Sequence, residues 1–284
     1  MSVVASSLRE VRASYAFVER NFNLSKRYLG WELVFIIYSV AQSLSILYIG
    51  ASLGGGGTAT AGPGTGGGKG RDLILYLAIG ALVWSYLSTV FEAISETITW
   101  ERWEGTIEYT LMAPISRVTH LLGSSLYSVT YSLLRTALIL VVLGLFFHLD
   151  LGHANLASTL VVVVLSSLSF LGIGIMAAAL PLLFTERGTQ MTLVMSAGLL
   201  LISGVYYPIT VLPGWMQALA TVSPANYALD AIRQAVMYHA GLGALWPDLW
   251  PLALIGALTI PLGLLIFKRA EHYAKRTGRL KRSG

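Results

Sequence analysis

Between Leu121 and Phe147 the chain carries one charged residue, Arg135, and similar apolar runs recur at Trp31–Gly50, Leu73–Phe91, Leu156–Phe184, Gln190–Tyr206 and Leu249–Phe267. A helix rises about 1.5 Å per residue and a bilayer's hydrocarbon core is about 30 Å thick, so roughly twenty such residues cross it. Inside hydrocarbon no water pairs with backbone N–H and C=O groups, and a run of this length satisfies them as an α-helix. The expected fold is all-α: a polytopic membrane protein with six transmembrane helices. Only 12% of the 284 residues are charged, against about 25% in soluble domains. No polar block between the runs is long enough to fold in water.

The basic residues orient the spans. Of 19 Lys and Arg, 15 fall in the N-terminus, the connections after spans 2 and 4, and the tail; three (Lys69, Arg71, Arg233) fall on the other side, and Arg135 lies within span 3. Basic loops stay in the cytoplasm, so both termini are expected there, in the cell (plasma) membrane. The net charge of +5 thus marks a membrane side and not a nucleic-acid surface.

Residues 1–30 form a first unit. Over 6–29, Leu8, Val11, Tyr15, Val18 and Phe22 recur at spacings of three and four while Arg9, Arg12, Glu19 and Lys26 fall elsewhere, the pattern of an amphipathic helix. Such a helix lies in the membrane interface or packs on its own protein. Residues 31–284 form the six-span unit, with a Gly-rich external loop at 51–72 and a basic cytoplasmic tail at 268–284. The loop holds a false phosphate motif: Gly68-Lys69 is preceded by Pro63 where a P-loop needs glycine, and Gly70 stands where the magnesium-binding hydroxyl belongs. With no nucleotide site of its own, the chain cannot be a self-powered pump.

Other chemistry is also missing. There is no cysteine, hence no disulfide framework or thiolate centre. Histidines 120, 148, 153, 239 and 272 are scattered, and His148 with His153 is a weak metal signal; no metal site is expected. Neither a G-x-S-x-G elbow nor paired intramembrane carboxylates stand out, so a hydrolase or proton-coupled carrier lacks support.

Trp100–Arg117, WERWEGTIEYTLMAPISR, interrupts the apolar pattern between spans 2 and 3. Thr97–Trp103 can continue span 2 past the membrane, Gly105 breaks it, and Thr106–Met112 can form a short helix that Pro114 ends. Ile107 and Leu111 share one side of that helix, whereas Glu104 and Glu108, at i,i+4, share another. This is either a docking knob or a solvated loop with interface anchors. In span 3, Ser125, Ser128, Ser132 and Arg135 fall on one face. A guanidinium at the bilayer centre costs about 2.5–3.5 kcal/mol, so Arg135 faces protein or water. The stripe either lines a substrate path or subunit seam, or makes interhelical hydrogen bonds with Arg135 paired to Glu92 or Glu32.

The pattern E-R-x-E-G-T-[IL]-E-x-x-[LM]-x-A-P-[IV]-S-R, present as Glu101–Arg117, resembles the signature of the type 2 ABC (ATP-binding cassette) transporter permeases. Leu212-Pro213, Ser223-Pro224-Ala225-Asn226-Tyr227, Asp230 and Arg233 resemble that family's segment before the last span. The long first external loop departs from the family pattern.

The resemblance implies a membrane subunit, not an enzyme, that pairs with a second permease copy, as a homodimer, and with two cytoplasmic ATPase subunits. Those partners would hold ATP and magnesium; this chain would hold no cofactor. It implies a coupling helix between spans 2 and 3, with Glu101, Arg102, Glu104, Gly105, Thr106, Glu108 and Pro114 at the ATPase contact. It also implies an external re-entrant hairpin over Pro208–Arg233, in which Pro208, Pro213, Pro224, Tyr227 and Arg233 shape a gate. Ser223 is suited to cap its second helix, with Pro224 at the first helical position. Drug or lipid-like export is the expected function; polysaccharide or lipid-linked glycan export is the alternative, and an ATPase-independent channel or secondary carrier is the reading from another class.

Overall fold

The computed structural model describes residues 3–53, 68–112, 116–147, 152, 154–184 and 187–278, and among these the secondary structure is helical throughout. Residues 54–67 of the Gly-rich loop, Pro114, His148, His153 and the tail beyond 278 lie outside the described residues.

Helices α1 (Val3–Arg27) and α2 (Leu29–Leu53) meet at a one-residue break at Tyr28. Next come α3 (Gly68–Trp103), α4 (Ile107–Met112) and α5 (Arg117–Phe147). The fourth apolar run bends at Ala178 into α6 (Leu156–Ala177) and α7 (Ala179–Leu183). After it stand α8 (Gly188–Ile202), a 3-10 turn at Ile209–Val211, α9 (Gly214–Ala220), α10 (Pro224–Met237) and α11 (Trp246–Arg276).

The centre is α3, the longest helix, which packs on α2, α5, α6, α8 and α10. Among the described residues, five helical stretches are long and apolar enough to cross a membrane: Leu29–Leu53, Asp72–Trp103, Val118–Phe147, Leu156–Leu183 and Trp246–Arg276. The fifth expected span is shorter than its apolar run. α8 has 15 residues, about 22 Å at the helical rise, and stops at Ile202, not Tyr206. Gly204 then takes a left-handed φ of 63° and the chain turns into the hairpin.

Lipid tails are as apolar as leucine, so packing here depends on close van der Waals contact and interhelical hydrogen bonds. Two cores stack along α3. One joins Val83, Leu87 and Phe91 to Phe170, Leu229 and Leu252 at the hairpin end. The other joins Ile94 and Ile98 to Ile107, Leu121, Leu182 and Phe267. This second core puts α4, the start of α5 and the end of α11 together. A third, smaller core of Leu47, Ala78, Leu82, Ile139 and Leu143 fastens α2 to α3 and α5. α6 and α11 share a long seam in which Ser169 Oγ donates to the Leu252 carbonyl at 2.7 Å.

α1 packs along the first half of α5. Ser14 Oγ donates to the Thr119 carbonyl at 3.3 Å, Phe17 lies 4.7 Å from the His120 ring and Phe22 meets Tyr127 edge-on at 5.1 Å. Gly123 allows this approach: a Cβ there would stand 2.7 Å from the Ser14 carbonyl oxygen and 2.8 Å from Phe17 Cβ. α1 thus packs on its own protein along α5 and also keeps an outward face, with Tyr15 exposed.

Candidate functional site

The connection from α3 to α5 is an elbow made by local backbone rules. Gly105 adopts φ 73°, a conformation that costs L-residues energy and glycine little. Its N–H donates to the Arg102 carbonyl at 3.1 Å and the Thr106 N–H to the Glu101 carbonyl at 2.9 Å, the two reversed bonds of a Schellman cap. The chain then re-enters helix at Ile107, whose side chain is buried in the core below. At the far side, Ser116 Oγ accepts from the Thr119 N–H at 3.0 Å and starts α5.

The two charges before the cap are buried, Glu101 at 3% exposure and Arg102 at 4%. Glu101 Oε1 accepts from Arg20 Nη2 of α1 at 2.5 Å and lies 3.1 Å from His120 Nε2 of α5. A carboxylate can only accept, so this contact puts a proton on Nε2. Arg102 reaches the opposite way: its Nη1 donates to the carbonyls of Pro181 at 2.9 Å and Leu182 at 2.6 Å in α7. These are carbonyls of a helix's last turn, which lack intrahelical donors. Glu101 and Arg102 therefore tie the elbow to four helices: α3 itself, α1, α5 and α7.

The other elbow positions face outward. Trp103, Glu104 and Glu108 are exposed, and Tyr109 and Met112 are 77% and 79% exposed. Thr106 is half-buried; its hydroxyl donates to the Glu101 carbonyl at 3.3 Å and its carbonyl accepts from the Thr110 N–H at 3.1 Å. The positions expected at one contact surface thus separate into buried anchors (Glu101, Arg102), hinge positions (Gly105, Thr106) and an exposed tip (Glu104, Glu108). Pro114 is outside the described residues.

The three serines of the span-3 stripe are buried and Arg135 is partly exposed. Ser125, Ser128 and Ser132 are all inaccessible, and the Ser128 and Ser132 hydroxyls donate to their own helix, to the Ser124 and Ser128 carbonyls at 2.8 and 2.7 Å. Among the described residues Arg135 makes no direct ion pair with Glu92 or Glu32, the pairing that one of the two readings of the stripe held. Its Nη2 donates to Ser39 Oγ and, at 3.4 Å, to the Phe35 carbonyl, both on α2. Glu32 instead accepts from the Tyr131 hydroxyl, and Glu92 faces Ser196 of α8 within electrostatic reach of Arg135.

The hairpin is pinned by Arg233. Its guanidinium donates to the carbonyls of Gly204 at 3.2 Å and Val205 at 2.7 Å, lies 3.6 Å over the Tyr76 ring of α3, and sits 4.0 Å from Asp230. Pro208 and Pro213 are exposed, preceding the 3-10 turn and α9, and Pro224 is buried at the start of α10. The Tyr227 hydroxyl donates to the Thr221 carbonyl at 2.7 Å. Ser223 occupies the N-cap position without a side-chain cap; its hydroxyl pairs with Ser203 at 3.0 Å, an interhelical bond in place of the local one.

Sequence reasoning missed Arg20, His120 and Tyr76. Each partners a residue it had singled out, but at separations of 81, 19 and 157 positions along the chain. His120 stood among scattered histidines from which no site was expected; at 1% exposure it is part of the buried elbow.

Residues 16–237 match the family described as ABC-2 type transporter. Over 175 residues the chain is 25% identical to proteins named "Probable multidrug ABC transporter permease YbhR" from Escherichia coli strain K12 and from E. coli O157:H7, covering 62% of this chain and 47% of each relative. The chain thus spans about half the length of the curated relatives it matches.

Proposed function

Because this chain belongs to the ABC-2 type transporter family, we propose that it is the permease subunit of an ATP-driven exporter, carrying a drug or a lipid-like amphiphile. It makes the membrane pathway and a separate ATPase powers it. Two copies assemble with two cytoplasmic ATPase subunits, which hold ATP and magnesium; this chain contributes no catalytic residue. The chain crosses the plasma membrane six times with both termini in the cytoplasm. The fifth crossing is α8, completed by the hairpin of α9 and α10, whose irregular backbone is tolerable at membrane depth where protein covers it. The 15-to-3 distribution of basic residues supports this orientation. The multidrug designation of the relatives supports the cargo class.

One observation carries the reading: an exposed acidic and apolar tip at Glu104, Glu108, Tyr109 and Met112 is mounted on the buried anchors Glu101 and Arg102. A solvated loop needs no such mounting. Force on α4 reaches α3 through the Gly105 cap, α1 and α5 through Glu101, and α7 through Arg102. Packed interfaces respond to such displacement by switching between discrete arrangements. The test is reconstitution of the purified chain in liposomes, with and without an ABC ATPase co-purified from the native membrane, followed by efflux of a hydrophobic fluorescent dye. ATP-dependent efflux only with the ATPase supports the assignment. Equal, ATP-independent efflux by the chain alone overturns it.

A further inference from the structure

At the α4 end a groove of about 850 Å3 runs between the first turns of α5 and the last turns of α11. Its size suits an elongated amphiphile. The floor is apolar, formed by the buried Leu121 and Phe267, and Val118, Leu264 and Leu265 continue it outward. The rim is cationic: Lys268, Arg269, Lys275 and Arg276 line the same cavity. Glu271 is the one carboxylate in the lining and Lys275 Nζ pairs with it at 2.7 Å. Lys268, Arg269 and Arg276 have no acidic partner among the described residues.

The change from apolar to cationic lining coincides with the end of a span. From Leu249 to Phe267 the sequence has no charge, and from Lys268 onward basic residues dominate. Residues 265, 268, 272 and 276 recur at spacings of three and four, so one face of α11 passes from leucine to basic groups inside the groove. Basic residues at any span end attract anionic lipid weakly; here they converge on a cavity with an apolar wall beneath them. A small soluble anion would leave that wall wet, and a zwitterionic lipid would bring its own quaternary ammonium in among the basic side chains.

We propose that this groove is a binding site for an anionic phospholipid of the cytoplasmic leaflet, independent of the export cargo. The phosphate sits against Lys268, Arg269 and Arg276, and an acyl chain lies along Val118, Leu121 and Leu265. Such a lipid would link α11 to α5, the helix that also carries the docked α1.

Native mass spectrometry of the full chain in detergent, titrated with phosphatidylglycerol or phosphatidylcholine of identical acyl chains, tests this. The expected result is a preference of at least about tenfold for phosphatidylglycerol, the scale of one to two basic groups meeting one anionic headgroup. That preference should disappear in K268S/R269S/R276S and persist in K26S/R27S, whose charges lie outside the groove. Leu265→Trp, which narrows the apolar wall, should weaken phosphatidylglycerol binding with every charge retained, and it serves alone should the triple variant not fold. Equal retention of the two lipids, or phosphatidylglycerol binding unchanged in the groove variants, overturns the proposal. So does equally effective occupancy by glycerol 3-phosphate, which would make the site one for soluble phosphates.

Discussion

Glu101 and Arg102 are chain neighbours whose side chains are held on different sides of α3. Glu101 takes hydrogen bonds from Arg20 and His120, on α1 and α5, while Arg102 donates to the Pro181 and Leu182 carbonyls of α7. Successive helical residues point about 100° apart, so one half-turn at the end of α3 grips two separate walls. The elbow that follows is fixed to the helical bundle on both flanks.

Arg20 and Glu101 should be energetically coupled. Removing one partner of a buried charge pair strands the other; because Arg20 is 35% exposed, water recovers part of the loss, and Glu101→Gln should cost about 1–3 kcal/mol. In a double-mutant cycle with Arg20→Ala, thermal unfolding of the purified protein should reveal non-additivity of at least about 0.5 kcal/mol. Strict additivity would mean that the pair does not form.

Gly105→Ala should destabilise by about 1 kcal/mol, because φ 73° is strained for a residue with a Cβ. Gly105→Asn should cost less, since asparagine tolerates the left-handed region. Equal thermal midpoints for wild type and Gly105→Ala would show that the Schellman cap is not formed.

Gly123→Ala should lift α1 from α5, because its Cβ would meet the Ser14 carbonyl at 2.7 Å. The readout is hydrogen exchange of α1, whose amides should lose protection in Gly123→Ala while those of α6 and α11 keep theirs. Unchanged exchange in α1 would contradict the docking described for it.

Arg233→Lys should loosen the hairpin despite keeping the charge. An ammonium lacks the planar fork that serves two carbonyls while lying on the Tyr76 face. Hydrogen exchange of residues 204–237 should accelerate, with α3 less affected. Unaltered exchange would reduce Arg233 to a replaceable cation.

Much of the architecture was legible because hydrophobic span length is a one-dimensional quantity. Leu121–Phe147 and Leu156–Phe184 appear as helices at nearly those limits. The elbow was legible for a local reason too, since Gly105 and Thr106 act through backbone bonds within five residues. The roles of Glu101 and Arg102 were not: charges near a span end suggest solvent, and only docking of α1 and α7 buries them. Ser223 shows the same limit, its local cap displaced by Ser203 twenty positions away. The shortness of α8 was hidden because the apolar composition continues past Ile202 into a segment that turns.

The exposed tip provides the sharpest test. Charge reversal at Glu104 and Glu108 leaves the buried anchors untouched, so membrane insertion and the thermal midpoint should be unchanged. The measurement is the amount of ATPase retained per permease on co-purification at low salt, where exposed charge contacts are least screened. Glu104→Lys with Glu108→Lys is predicted to release the ATPase or to abolish ATP-driven transport while the ATPase stays bound. Full retention with undiminished transport would contradict the docking role of the elbow.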